Sequence, residues 1–118
     1  MGRSEADRSR RRNFLFVCGK NRLRSPTAEA IFADTSGIAV LSAGVNRDAD
    51  ERVSDELIEW ADIIFVMERE HRRKLQAAHA GALKDTHIAV LGIPDDYAYM
   101  DPELTAILRA KMARWLPR

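Results

Sequence analysis

The chain has 118 residues, 46% of them hydrophobic and 31% charged, with a formal net charge of +1. That length fits one domain, and that apolar fraction is enough for a real core. Cys18 is the only cysteine, which excludes an internal disulfide and fits a reducing compartment, and no apolar run approaches the roughly 18 residues of a membrane span.

Residues 1–12 hold five arginines against Glu5 and Asp7, so the remainder of the chain is about two units negative. They contain no large apolar residue after Met1 and read as a disordered basic tail ahead of a single domain over 13–118. A phosphate- or nucleic-acid-seeking arm is the other reading of this tail. The bulk of the chain carries no basic stripe that would indicate a nucleic-acid binder. Ala6 stands where a myristoylation pattern wants Ser or Thr, and the start lacks the apolar region of a signal peptide. A soluble cytoplasmic protein is the expectation.

Phe14-Leu15-Phe16-Val17 is a buried strand ending at Cys18. A loop follows to Arg24, and Ser25-Pro26 opens a helix over Thr27–Phe32, with serine as cap and proline at the first helical position. Gly37–Leu41 is a second strand, ending at Ser42-Ala43-Gly44, and the polar stretch from Val45 to Ser54 has no secondary-structure signal. Ser54 caps a short helix, Asp55–Ala61, with acids in its first turn. Asp62–Met67 is a third strand, Glu68 to about Ala80 a charged helix, and His87–Leu91 a fourth strand. A loop rich in Pro, Asp and Tyr runs to Met100, and Asp101-Pro102 starts a final helix ending near Leu116.

Short, nearly continuous apolar strands alternating with helices predict an α/β fold: a four-stranded parallel sheet with helices on both faces. Ligands of such sheets bind beyond the carboxyl ends of the strands, where Cys18, Ser42 and the Asp95 loop all fall.

A loop wrapped ahead of a helix N-terminus turns several N–H groups on one spot, where the helix dipole adds positive potential. There a thiolate is stabilised as a nucleophile, and Arg24 offers a planar fork for two phosphate oxygens. Ser25 is placed to donate to the sulfur. The plainer alternative makes Cys18 a small buried hydrophobe at a strand end.

The spacing from Cys18 to Arg24, C-x5-R followed by Ser25-Pro26, resembles the phosphate-binding loop of the low-molecular-weight protein tyrosine phosphatases. Ser42-Ala43-Gly44 is similar to the family's S-A-G, Met67-Glu68 to its Met-Asp or Met-Glu pair, and Asp95-Asp96-Tyr97 to its D-P-Y. The resemblance implies phosphate-monoester hydrolysis through a phosphocysteine on Cys18. The loop residues Gly19, Lys20, Asn21, Arg22, Leu23 and Ser25 would surround the anion, with Arg24 on the equatorial oxygens. Asn21 would tie the loop together. Aligned on the tyrosine, the family's general acid falls on Asp95, with Asp96 as runner-up. Tyr97 and Tyr99 would flank the pocket mouth, or simply pack at a loop–helix junction. Trp60 and Trp115 belong to the core.

No cofactor or metal is implied: His71, His79 and His87 lack ligand spacing, and His71 and His79 read as lying on a solvated helix face. Partners would be a phosphorylated protein, a small phosphate monoester or a free oxyanion, with neither membrane nor nucleic acid indicated. Phosphotyrosine, phosphoarginine and metabolite esters all stay open.

Three positions depart from the family pattern. Lys20 replaces a glycine, which suggests a strained left-handed backbone there. Leu23 replaces a second cysteine, and the 44–54 segment is too short for the family's extra helix, so the pocket should be shallower. Two other readings remain: a non-catalytic module that holds phosphorylated partners with the basic residues Lys20, Arg22 and Arg24, and arsenate reduction through an external thiol.

Overall fold

β1 (Arg12–Cys18) lies in the middle of the sheet, between β2 (Ile38–Gly44) and β3 (Ile63–Val66), and β4 (His87–Val90) completes the order β2-β1-β3-β4. All three pairings are parallel, with Leu15 opposite both Leu41 and Ile64, and Cys18 opposite Gly44. The computed structural model describes residues 11–117. The expected basic tail lies outside them for residues 1–10, while Arg12 is already in β1, opposite Ile38.

The alternation of side chains along β1 and β3 divides the core between two faces. Phe14, Phe16 and Phe65 face α1 (Arg24–Phe32) and α4 (Pro102–Met112), meeting Ala28, Phe32, Leu104, Leu108 and Met112. Phe16 stacks between Phe32 and Phe65, at centroid distances of 5.9 and 5.4 Å. Leu15, Val17, Ile64 and Val66 face the other way, toward Ile58 of α2 (Asp55–Trp60) and Leu75 of α3 (Arg69–His79). The fold is thus the predicted four-stranded parallel sheet with helices on both faces. Trp60 and Trp115 pack against these two clusters, Trp115 edge-on to Phe65.

Two helix boundaries differ from expectation. α1 begins at Arg24, not Pro26, with Leu23 at the cap position and no side-chain cap. Proline fits anywhere in a first turn, because the N–H it lacks has no intrahelical partner there. Ser25 is therefore released from capping. α4 ends at Met112, short of Leu116, and Trp115 and Leu116 bond back to the Met112 carbonyl in a turn ahead of Pro117. Ser54 and Asp101 cap as expected, accepting from the N–H of Leu57 (3.1 Å) and Glu103 (2.8 Å). Among the described residues no helix is long and apolar enough to cross a membrane.

The chain leaves β1 for β2 on one side and later returns to β3 on the other. That reversal opens a crevice at the carboxyl end of β1, where the Cys18 loop sits.

Candidate active site

β1 delivers Cys18 to the crevice floor, 3% exposed. Its Sγ lies 2.9 Å from Ser25 Oγ and 3.3 Å from the backbone nitrogen of Asn21, which donates to it. The hydrogen bonds behind it fix a direction. Asn21 Nδ2 donates to Ser25 Oγ (3.1 Å) and to Ser42 Oγ (2.9 Å), and the Ser42 hydroxyl donates to Glu29. With Asn21 occupying the Ser25 oxygen as donor, the Ser25 hydroxyl has two acceptors for its proton, the Ala43 carbonyl at 3.4 Å and the sulfur at 2.9 Å, and the sulfur is the nearer.

Asn21 pays for this by adopting a left-handed backbone, φ 58°. Strain expected at Lys20 is absent: among described non-glycine residues only Asn21 and Met100 have positive φ. Asparagine tolerates that region better than most residues, and here its side chain reaches both serines from it.

The loop is braced from behind. The Asn46 and Asp50 N–H groups donate to the carbonyls of Gly19 and Lys20, each at 2.9 Å, and Val45 N–H to that of Cys18 at 3.0 Å. Gly44 permits the approach, since a Cβ there would lie 2.5 Å from the Gly19 oxygen. The short 45–54 segment, expected only to leave the pocket open, is thus the loop's support. Meanwhile the N–H groups of Gly19, Lys20, Arg22 and Leu23 donate to no backbone carbonyl among the described residues, which leaves them for an anion. Lys20 pairs with Asp48 (3.6 Å) and Arg22 with Asp50 (3.1 Å), so much of the loop's basic charge is answered locally.

Arg24 is 5% exposed. Its Nη1 donates to the Ile93 carbonyl (2.7 Å) and to Glu68, and its Nε lies 3.6 Å from an Asp95 carboxylate oxygen. Nη2 has no partner among the described residues and completes the fork toward the cleft. Cys18, Gly19, Lys20, Arg22, Leu23, Arg24 and Asp95 all line one cleft of about 480 Å³. Asn21 and Ser25 lie behind it as buried supports. Asp95 is 62% exposed on its side chain. Asp96 is exposed and outside the lining, Asp101 is the α4 cap, and Asp85 precedes β4 at the opposite end of the sheet.

Tyr97 is not at the mouth. It is half-buried against the α1–α4 core, where desolvation, then the carboxylates of Glu103, Asp96 and Asp101, raise its phenol above the usual range. Tyr99 is exposed, and among the described residues no Phe, Tyr or Trp lines the cleft.

His71 requires the plainest correction. Rather than lying on a solvated face, it is buried and lines the cleft with Asn46, Glu68, Glu70 and Lys74. Its Nδ1 accepts the Glu68 N–H (3.1 Å) in a reciprocal cap of α3, in which Glu68 accepts from the His71 backbone. Desolvation, then the Arg24 charge, lower its pKa from 6.5, against Glu68 and Glu70. The spacing held the signal: His71 stands four residues before Leu75, on the same helical face.

The family model "Low molecular weight phosphotyrosine protein phosphatase" matches residues 13–61. A search of curated protein sequences gives no match. Among solved structures, the Streptococcus pyogenes low molecular weight protein tyrosine phosphatase superposes with a TM-score of 0.73 at 15% identity, covering 91% of this chain and 95% of its own. Vibrio vulnificus Wzb, solved with benzylphosphonate, gives 0.71 at 20% identity, covering 88% and 96%. The YwlE arginine phosphatase of Geobacillus stearothermophilus gives 0.69 at 22%, covering 88% and 92%. The chain therefore has the fold of the low-molecular-weight tyrosine phosphatases over nearly all its length, and resembles that family in sequence where the strand, the cysteine loop and the first helix lie.

Proposed function

We propose that the protein is a cysteine-dependent phosphatase that hydrolyses phosphate monoesters or related phosphorylated residues through a phosphocysteine. The observation that carries this reading is the set of hydrogen bonds aimed at Cys18 Sγ, beside free loop N–H groups and the Arg24 fork. In the first step the Cys18 thiolate attacks phosphorus, the phosphorus–oxygen ester bond breaks, and Asp95 gives its proton to the leaving oxygen. Charge building on the three equatorial oxygens meets donors already in place, which is where electrostatic catalysis is strongest. In the second step the Asp95 carboxylate takes a proton from water, the water oxygen attacks phosphorus, and the thiolate leaves as phosphate forms.

Asp95 is supported as the acid by its place beside Arg24, where Asp96 has no such contact. A purely anion-holding module is less well supported, because Asp48 and Asp50 already answer Lys20 and Arg22. The comparison structures include a tyrosine and an arginine phosphatase, so a phosphorylated side chain of either kind suits the fold. A cytoplasmic setting fits the single thiol. The test is steady-state turnover of an aryl phosphate by the protein and by Cys18→Ser. Turnover by the first and a loss of about three orders of magnitude or more in the second is expected, as for removal of a catalytic nucleophile. Retained activity in Cys18→Ser rejects the reading.

A further inference from the structure

The residue after the nucleophile, Gly19, has no side chain, and two side chains face the space where one would stand. A Cβ built there would lie 3.1 Å from Asn46 Nδ2 and 3.8 Å from His71 Nε2. Both nitrogens are donors, for separate reasons. Asn46 Oδ1 accepts from Lys74 Nζ (3.1 Å), and since an ammonium only donates, the NH2 end is the one turned to Gly19. His71 Nδ1 accepts the Glu68 N–H, which puts the ring proton on Nε2. Burial and Arg24 favour the neutral ring, and Lys74 acts in the same direction, while Glu68 and Glu70 oppose them.

Neither nitrogen has a hydrogen-bond partner among the described residues, yet no buried side-chain polar atom there is unsatisfied. Both are therefore open to solvent, and both residues line the cleft. They come from the segment after β2 and from α3, not from the loop that would hold a phosphoryl group. Among the described residues that line the cleft none is Phe, Tyr or Trp, and beside the apolar Leu23 the amide and imidazole nitrogens are polar contacts open to a substrate's group.

We propose that Asn46 Nδ2 and His71 Nε2 form a second subsite, next to the nucleophile, for a carbonyl or carboxylate oxygen of the substrate. The inference rests on the phosphatase reading for the first subsite and adds what the ester's other half carries. The two nitrogens supply two donors and no acceptor, so an oxygen with two lone pairs fits and an alkyl group leaves both unpaired. Lys74 contributes positive charge that Glu70, 3.6 Å away, partly answers, so a neutral carbonyl is accommodated as well as an anion.

Calorimetric titration with phosphonates tests this without turnover. The probes are inorganic phosphate, 2-methylpropylphosphonate as the apolar control, acetonylphosphonate with a neutral carbonyl, and phosphonoacetate with a carboxylate. Acetonylphosphonate, phosphonoacetate or both should bind about tenfold tighter than the control, the value of one or two well-placed hydrogen bonds. A gain for both identifies a carbonyl-type acceptor, and a gain for phosphonoacetate alone an anionic one drawn by Lys74. Asn46→Ala should remove the gain while leaving control affinity within about twofold. His71→Asn keeps an acceptor for the Glu68 N–H while its NH2 stops short of the Nε2 position, and should also remove it, whereas His71→Gln, whose amide reaches further outward, should restore part. Equal affinity for control and oxygen-bearing probes, or a gain that survives both Asn46→Ala and His71→Asn, overturns the subsite alone. Failure of every probe, phosphate included, overturns the phosphatase reading and the subsite with it.

Discussion

Two loops bring chemistry to the cleft, and they are built on opposite plans. The loop from Cys18 to Ser25 is buried at its working residues, bonded to itself through Asn21 and Ser25, and braced by the 45–54 segment. The loop from Pro94 to Met100 is largely exposed. It touches the site through one ion pair, Asp95 to Arg24 at 3.6 Å, and ties back through the Met100 N–H to Thr27 Oγ1. On the proposed phosphatase reading, the difference matches two tasks. Phosphoryl oxygens are the same in every substrate, so their donors gain by being fixed before the reaction. Leaving groups differ, so the residue that protonates them is better carried on a less constrained segment.

The contrast breaks most severely at Arg24. Arg24→Lys keeps a charge but loses the fork and the Ile93 and Glu68 bonds together, and should lower kcat/KM by about 100-fold to 1,000-fold, as for a removed transition-state donor. The loss should be alike for good and poor leaving groups. Asp95→Asn, on the open loop, should behave differently: about 100-fold for an alkyl phosphate and much less for nitrophenyl phosphate. A tenfold or smaller loss on the alkyl ester would move the acid to another residue, with Asp96→Asn as the next variant.

His71 sharpens the comparison with a smaller effect, on stability. Its folded pKa is depressed below 6.5, so between the folded and unfolded values the unfolded chain binds the extra proton and the folded one does not. Stability from this group is complete above about 6.5 and falls with pH through that window. In thermal melts, wild type should lose more Tm than His71→Asn as pH is lowered through it. Parallel slopes would show that His71 does not titrate as its buried, Arg24-facing position requires.

The fold was legible because Phe14–Val17, Ile63–Val66 and their partners are apolar runs that only a doubly covered sheet accommodates. The cysteine loop was legible because strand, cysteine, arginine and helix are local in sequence. What was missed is long-range. His71 sits in a charged helix and became part of the site only because α3 starts beside the crevice, with its Nδ1 capping that helix. Asn46 lay in a stretch without periodicity. Tyr97 had two readings, the pocket mouth or packing at the loop–helix junction, and its ring takes the second, against the core. Strain was assigned to Lys20 from a missing glycine, whereas Asn21 takes the left-handed turn.

The central claim is that Cys18 carries the phosphoryl group between the two steps. The most direct measurement is acid quenching of the protein during turnover of an aryl phosphate, followed by intact-mass and peptide analysis. One phosphoryl group on Cys18 is predicted, forming no faster than the phenol burst and absent from Cys18→Ala. Steady turnover with a phosphoryl group on another residue, or turnover persisting in Cys18→Ala, would contradict the account.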